Sequence, residues 1–468
     1  MKNRKNGIRP ILILCIAGCF LSGCAMVGPD YKRHELERDS AYADATAKQL
    51  DPNRVIRPDW WKNFNDPALD QLVADAIKGS YDLKILLGKI KVSGALVDQS
   101  EAELYPSLGL ETEVSISDSK TSGSNTSYNA KGLLNWELDL WGKNRRKVAA
   151  EKAEAKAVKA DYRAGYLTLV ADVARAYFSI RQYDRIEKLT RAFIRNNELV
   201  LSIYQQQYRE GIVGDGKVLR QRAQVNNLRQ ELLELIRGRK IQTHKIAALL
   251  GRPPGKITIP ADPVALKWRL PEVPVGLPSD LLNRRPDILA AEYRLLKASH
   301  EIGVAEADRL PSISLTMEGG LTSQTLATLL SGGMFSLMPK ISLPIFDAGR
   351  RKAEVERRKY KFEIARNEWA KTVYIAFQEV ADALTNLSNR KKQLAVLKAR
   401  VSDLKRIRSQ INARLKAGLV SQLEFYDIED NLYSAEKEKI KMEMQLISDT
   451  IVLYKALGGG WPSVSEDR

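Results

Sequence analysis

Every thiol of the chain lies in one stretch near its start. "CIAGCFLSGCAMVGPDYKR", residues 15–33, holds Cys15, Cys19 and Cys24, and the 468-residue sequence has 3 cysteines in all. A thiol can act as nucleophile, metal ligand or half of a disulfide. No cysteine downstream can pair with these, so a disulfide framework is excluded. The 3 histidines, His34, His244 and His300, are far apart. No H-E-x-x-H, G-x-S-x-G, Walker or G-x-G-x-x-G pattern occurs; Gly214 and Gly216 form only a G-x-G with no strand before it. No nucleophile–base pair and no metal-ligand set can be assembled, so the sequence assigns neither a catalytic residue nor a metal site and does not read as an enzyme.

The flanks of the thiols give them a different chemistry. Lys2, Arg4, Lys5 and Arg9 precede the apolar run Ile11–Phe20. A run of about ten residues is too short for a membrane span, which needs roughly 20, but it suits a secretory signal. Leu21-Ser22-Gly23-Cys24 looks like a bacterial lipobox. In that reading residues 1–23 are removed, and the Cys24 sulfur carries a diacylglycerol at the new N-terminus, with an N-acyl chain added. A plain signal peptide and an uncleaved anchor are the other readings of the same stretch. Ala25, rather than Asp, follows the cysteine, which by resemblance to bacterial lipoproteins implies sorting to the outer membrane. No other cofactor is implied. The formal charge is +17, and residues 1–23 hold four of the positive charges and no acid, leaving about +13 on the mature chain. Basic balance can signal nucleic acid or a membrane surface; export argues against nucleic acid.

The rest of the chain is a duplicated unit. "LDLWGKNRRK" matches "IFDAGRRK", "YREGIV" matches "RLKAGLV" and "AALLG" matches "KALGG". These place Gly142 on Gly349, Gly211 on Gly418 and Gly251 on Gly458, each 207 residues apart. Period-two alternation predicts strands over about 106–118 and 129–141, and again over about 311–321 and 334–346. Polar loops join them at about 118–129 and 322–333. At about ten residues each, the strands have the length of a transmembrane β-strand. Four strands cannot close a barrel, so spanning would require strands from other copies; three copies give twelve.

Helical segments flank each hairpin. One runs from about Asp66 to Leu104, broken by Gly79 and Gly88. A long one runs from about Asn144 to Arg209, and a return helix from about Lys217 to Leu250. At 1.5 Å per residue the long helix reaches about 100 Å, so two half-length helices should meet end to end beside it. The boundaries that follow are a signal at 1–23, an N-terminal tether at 24–65, a first repeat at 66–251, a Pro-rich linker at 252–278, a second repeat at 279–460 and a tail at 461–468. The fold class is mainly α with transmembrane β, built from the duplicated unit.

The motifs "GCAMVGPDYKR", "WWKNFNDPALDQLV", "LLNRRPDILAAEYRLLKASHEIGVAEADRLPSISL", "PIFDAGRR" and "LYKALGGGW" resemble those of the TolC-type outer membrane factors. Within them, the chain is most similar to the lipoprotein (NodT-type) branch that serves resistance-nodulation-division efflux systems. His34 departs from the family's usual proline. The resemblance implies a homotrimer: a 12-stranded barrel in the outer membrane, continuous with a 12-helix periplasmic α-barrel and an equatorial mixed α/β belt. It implies a passive exit duct for small molecules, opened at its periplasmic end by an adaptor and an inner-membrane pump; a type I protein secretion channel is the alternative role.

Two groups of residues then gain roles. Trp136 and Trp141, at the end of the second strand, and Arg145, Arg146, Arg350 and Arg351, which follow the strands, are expected at the membrane interface, where basic residues can reach lipid phosphates and tryptophans form a belt. Gly211 and Gly418 mark the periplasmic tip turns. Just beyond them the offset of 207 sets Glu424 on Lys217, Asp427 on Arg220, Glu429 on Arg222 and Asp430 on Ala223. Bases of one repeat thus stand where the other has acids, and these seven side chains are the expected gate: Lys217, Arg220, Arg222, Glu424, Asp427, Glu429 and Asp430.

Overall fold

The computed structural model describes residues 26–33, 35–37, 42, 56–119, 123–260, 270–276 and 278–461. Cys24, the signal, His34 and residues 462–468 lie outside them. Two compact units emerge. A sheet unit comprises residues 1–36, 87–160 and 288–372, and a helical unit residues 37–86, 161–287 and 373–468.

The duplication is written into the helices. α1 (Pro67–Gly79) and α2 (Tyr81–Ala102) precede the first hairpin; α3 (Lys143–Arg209) and α4 (Asp215–Leu249) follow it. α5 (Pro278–Arg284) and α6 (Pro286–Ala307) precede the second hairpin; α7 (Arg350–Lys416) and α8 (Gln422–Ala456) follow it. α3 and α7 both have 67 residues, and α4 and α8 both have 35. Of the two breaks expected in 66–104, only the one at Gly79 occurs: the helix divides at Ser80, and a Cβ on Gly79 would collide with the Leu250 carbonyl. Gly88 meets nothing within 4 Å and stays inside α2. α4 therefore does end against the α1–α2 junction, as half-length helices should.

The hairpins form one antiparallel sheet in the order β1-β2-β3-β4, with β1 Ser107–Ser119, β2 Gly123–Leu138, β3 Ser312–Ser323 and β4 Gly333–Ser342. The strand ends differ from expectation. The first polar loop is almost wholly absorbed into the ladder, which runs to Ser119 opposite Gly123; serines and asparagines pair through their backbones as well as any residue. β4 stops at Ser342, because Pro344 cannot donate to a ladder. Pro339 is tolerated inside β4, an edge strand.

The helical unit has an aromatic core. Trp60 stacks on Tyr454 at 4.8 Å between centroids, and Phe64 lies 5.1 Å from Phe178. Beside it runs a polar chain. Asp66 caps α1 by accepting from the Ala68 and Leu69 N–H groups and also accepts from the Tyr177 hydroxyl at 2.6 Å. Arg181 donates to Tyr177, Asp184 and the Pro260 carbonyl. Arg239 donates to Asp184 at 2.5 Å and to the Ile259 carbonyl at 2.9 Å. The start of the linker is thus tied to α3 and α4.

Both tip turns end their helix in the same way. Gly211 (φ 71°) and Gly418 (φ 72°) are left-handed, and Ile212 and Leu419 donate back to Gln207 and Arg414 in Schellman closures. Nothing lies within 4 Å of a Cβ built on either glycine. Gly211→Ala or Gly418→Ala should therefore cost only the backbone penalty, about 1 kcal/mol each. Gly458→Ala should cost clearly more, since its Cβ would stand 2.9 Å from the Arg284 carbonyl oxygen. Urea unfolding followed by circular dichroism compares them, and equal losses would contradict this packing account.

Candidate functional site

The sheet presents an apolar face that this chain leaves uncovered. Leu108, Leu110 and Ile116 on β1 are 79%, 77% and 73% exposed, and Phe335, Leu337 and Ile341 on β4 are also exposed. The opposite face is polar. There Lys131 stands between Glu111 and Glu318, with Nζ 3.9 and 4.0 Å from their carboxylates. Among the described residues no helix is long and apolar enough to cross a membrane. Among the described residues, the apolar surface of membrane-strand length is this sheet face, bounded by two unpaired edges.

At the foot of the sheet the expected interface residues separate into four kinds. Trp136 and Trp141 are anchored, their indole N–H groups donating to the carbonyls of Leu104 at 3.1 Å and Pro311 at 2.6 Å. Each closes the turn that leads into a strand. Arg145 folds back on Asp139, whose carboxylate also accepts from the Asn144 and Arg145 N–H groups and so caps α3. Arg351 does likewise with Asp347, held below the usual carboxylate range, despite some burial, by hydrogen bonds from Arg351 and Gly349. Arg350 is exposed and makes no ion pair among the described residues. Arg146 corrects the expectation. It is only 2% exposed and points inward, so it cannot serve lipid phosphates.

In the helical unit, a groove of about 390 Å³ gathers part of the expected gate. Arg220, Asp427, Glu429 and Asp430 all line it, with Phe193, Leu199 and Tyr426 as apolar neighbours. Lys217, Arg222 and Glu424 lie on exposed positions of their helices. Ser421 caps the start of α8, its hydroxyl accepting the Glu424 N–H at 3.3 Å. Glu429 is bound by Arg408 of α7. Asp430 accepts from Gln224 of α4 at 3.3 Å, linking the two helix pairs. Burial and the neighbouring Asp427 charge push the Asp430 carboxyl up.

Arg408 and Gln224 were missed by sequence reasoning. A signal for Arg408 existed. In an antiparallel helical hairpin, residues equally far from the turn face each other. Arg408 and Glu429 straddle Gly418 almost evenly, as do Arg400 and Glu438.

The outer membrane efflux protein profile matches residues 72–252 and 277–459. The chain belongs to this outer membrane efflux protein family. It is similar to the probable efflux pump outer membrane protein TtgC of Pseudomonas putida, 31% identical over 97% of this chain and 96% of the relative. It is also similar to the cation efflux system protein CusC of Escherichia coli, 28% identical over 96% and 98%. Among solved structures, the outer-membrane channel OprN superposes with a TM-score of 0.86 at 28% identity, over 93% of this chain and 99% of that one. This efflux protein is accordingly an outer membrane channel, mostly helical with a small sheet, of a family of transport proteins rather than enzymes.

The raised Asp430 gives a prediction for the groove. A carboxyl with a raised pKa is penalised when ionised, so its charge costs stability at neutral pH and nothing once protonated. Asp430→Asn keeps an acceptor for Gln224 and removes the charge. It should slow hydrogen exchange at the tips of α4 and α8 at pH 7, with the difference vanishing below about pH 4, the ordinary aspartate range. Faster exchange at pH 7 would mean that the charge supports the tip.

Proposed function

We infer that three copies of this channel pair their sheet edges to close a twelve-stranded barrel in the outer membrane, above a helical tunnel that reaches into the periplasm. The uncovered apolar face carries the reading. A sheet with two open edges cannot lie in lipid, because every unsatisfied backbone group there costs several kcal/mol; closure with other copies removes the edges. The duct is passive. An inner-membrane pump supplies energy and a periplasmic adaptor opens the tip. Relatives of similar identity are named for antibiotics, toluene and cations, so one architecture serves several cargoes by being a wide path rather than a selective site.

Lipidation at Cys24 with loss of residues 1–23 belongs to the same reading. One acyl chain binds a membrane marginally and two or more bind stably, while a barrel anchors by itself. Cys24→Ala should therefore lower maturation and yield more than it lowers conductance per channel. Mass spectrometry of the mature N-terminus decides: an unmodified thiol, or a start elsewhere, defeats the assignment.

The tip is the gate. Lys217, Arg220 and Arg222 face Glu424, Asp427 and the partly engaged Glu429 between helix pairs, closing the mouth three times over in a trimer. Each exposed pair contributes only about 0–1 kcal/mol, so closure depends on the ring. In planar bilayers, Arg220→Glu with Arg222→Glu should raise conductance, and reversing Asp427 and Glu429 as well should restore the low state. Unchanged conductance after the one-sided reversal would place the gate elsewhere.

A further inference from the structure

The residues just after Cys24 are held in a slot. The Val27 N–H donates to the Trp141 carbonyl at 3.1 Å. Arg146 donates from Nε to the Val27 carbonyl at 3.1 Å, and from Nη2 to the Gly28 carbonyl and the Asp30 carboxylate at 3.2 Å each. Its Nη1 donates to His300 Nδ1 at 3.3 Å. Burial and the adjacent guanidinium hold the His300 imidazolium below its ordinary range, against the opposing Asp30 charge, so the ring stays neutral and can accept.

Glycines form the walls. Gly28 is left-handed at φ 100°, and a Cβ on it would strike the Cα of Gly303 on α6. A Cβ on Gly303 would stand 2.6 Å from the Val27 carbonyl oxygen, and one on Gly142 would stand 2.7 Å from Met26 Cγ. Further along, Tyr31 and Arg33 both donate to Glu292 of α6.

A buried guanidinium needs a carboxylate or a full set of acceptors. The carboxylate on Arg146 belongs to Asp30, whose side chain is 89% exposed; backbone carbonyls of the N-terminal segment supply much of the rest. The second repeat provides an internal control. Ala353 stands at the place of Arg146 by the offset of 207, and a Cβ on Gly349, the counterpart of Gly142, meets nothing within 4 Å. The repeat folds without the slot, so the slot exists for the segment that fills it.

We propose that Arg146 is the positioning residue of the lipid anchor: by clamping residues 26–30 between α3 and α6, it holds Met26 and Val27, the residues that follow the anchor, beside the turn after β2. The proposal rests on the lipidation of Cys24 inferred above. Acyl chains delivered there enter the membrane next to the sheet, and insertion of the barrel is guided by an anchor in register with it rather than by a loose leash.

The test uses the full-length protein purified from membranes, with three readouts: the mass of the mature N-terminus, hydrogen exchange of residues 26–33 and the yield of inserted channel. Arg146→Gln and, independently, Gly28→Val should leave the acyl mass in place, speed exchange of the segment by at least roughly tenfold and lower the inserted yield. A flexible Gly-Ser insertion of about ten residues between Ala25 and Met26 separates anchor from clamp. It should keep the segment as protected as in the wild type and still lower the yield. Native yield with that insertion, alongside a reduced yield for Arg146→Gln, would make the clamp a packing feature only and overturn the proposal. So would equal exchange in wild type and Arg146→Gln. An unacylated wild-type N-terminus instead removes the anchor itself, whatever the exchange shows.

Discussion

Helix ends that stop inside a helical body are the constraint on which the helical unit depends. A half-length helix beside a full-length one leaves its last carbonyls away from solvent, and each must find a donor. α8 ends this way. Its Ala456 carbonyl accepts from buried Arg285 at 2.8 Å, and Arg285 is itself held by Asp287 and Glu379 at 2.6 Å each. The Arg284 carbonyl, at the end of α5, accepts from the Trp461 indole. At the other junction, Lys84 donates to the Gly79 carbonyl, and Arg181 and Arg239 satisfy carbonyls of the chain leaving α4. Buried Arg285 therefore closes a helix end. It does not mark a catalytic centre.

The two repeats share a backbone and differ in what they attach to it. Their long helices, return helices and three turn glycines keep one offset, because hydrogen-bond geometry and left-handed φ values constrain them alike. Where the backbone imposes nothing, the repeats diverge. The first carries Arg146 and a slot filled by the N-terminal segment; the second has Ala353. Beyond the tip turns the first carries bases and the second acids. Both differences support the proposed roles: attachment of the N-terminal segment in one case, closure of the mouth in the other.

Most of the architecture was legible in the residues. Period-two runs marked four strands, and helical stretches punctuated by glycine and proline marked the long helices to within a few residues. Three glycine pairs at one offset showed the duplication. Less legible were element ends that depend on a neighbour. Gly79 and Gly88 look alike in the sequence, yet the helix divides only beside Gly79, at Ser80, where another chain segment approaches. The polar run after β1 looks like a loop, but backbone pairing is indifferent to side-chain polarity.

The sequence by itself determined the repeat, the two-faced strands and the absence of catalytic and metal motifs, because these follow from residue type, periodicity and spacing along the chain. Only the tertiary structure decided what each arginine does. Arg145, Arg146, Arg350 and Arg351 sit in two nearly identical basic clusters, yet two bind the carboxylates that cap their own helices, one is exposed, and Arg146 is buried against residues more than a hundred positions away. A long, flexible cationic side chain takes its partner from whatever the fold brings within reach, and that neighbourhood is set by packing across the chain rather than by the residues beside it.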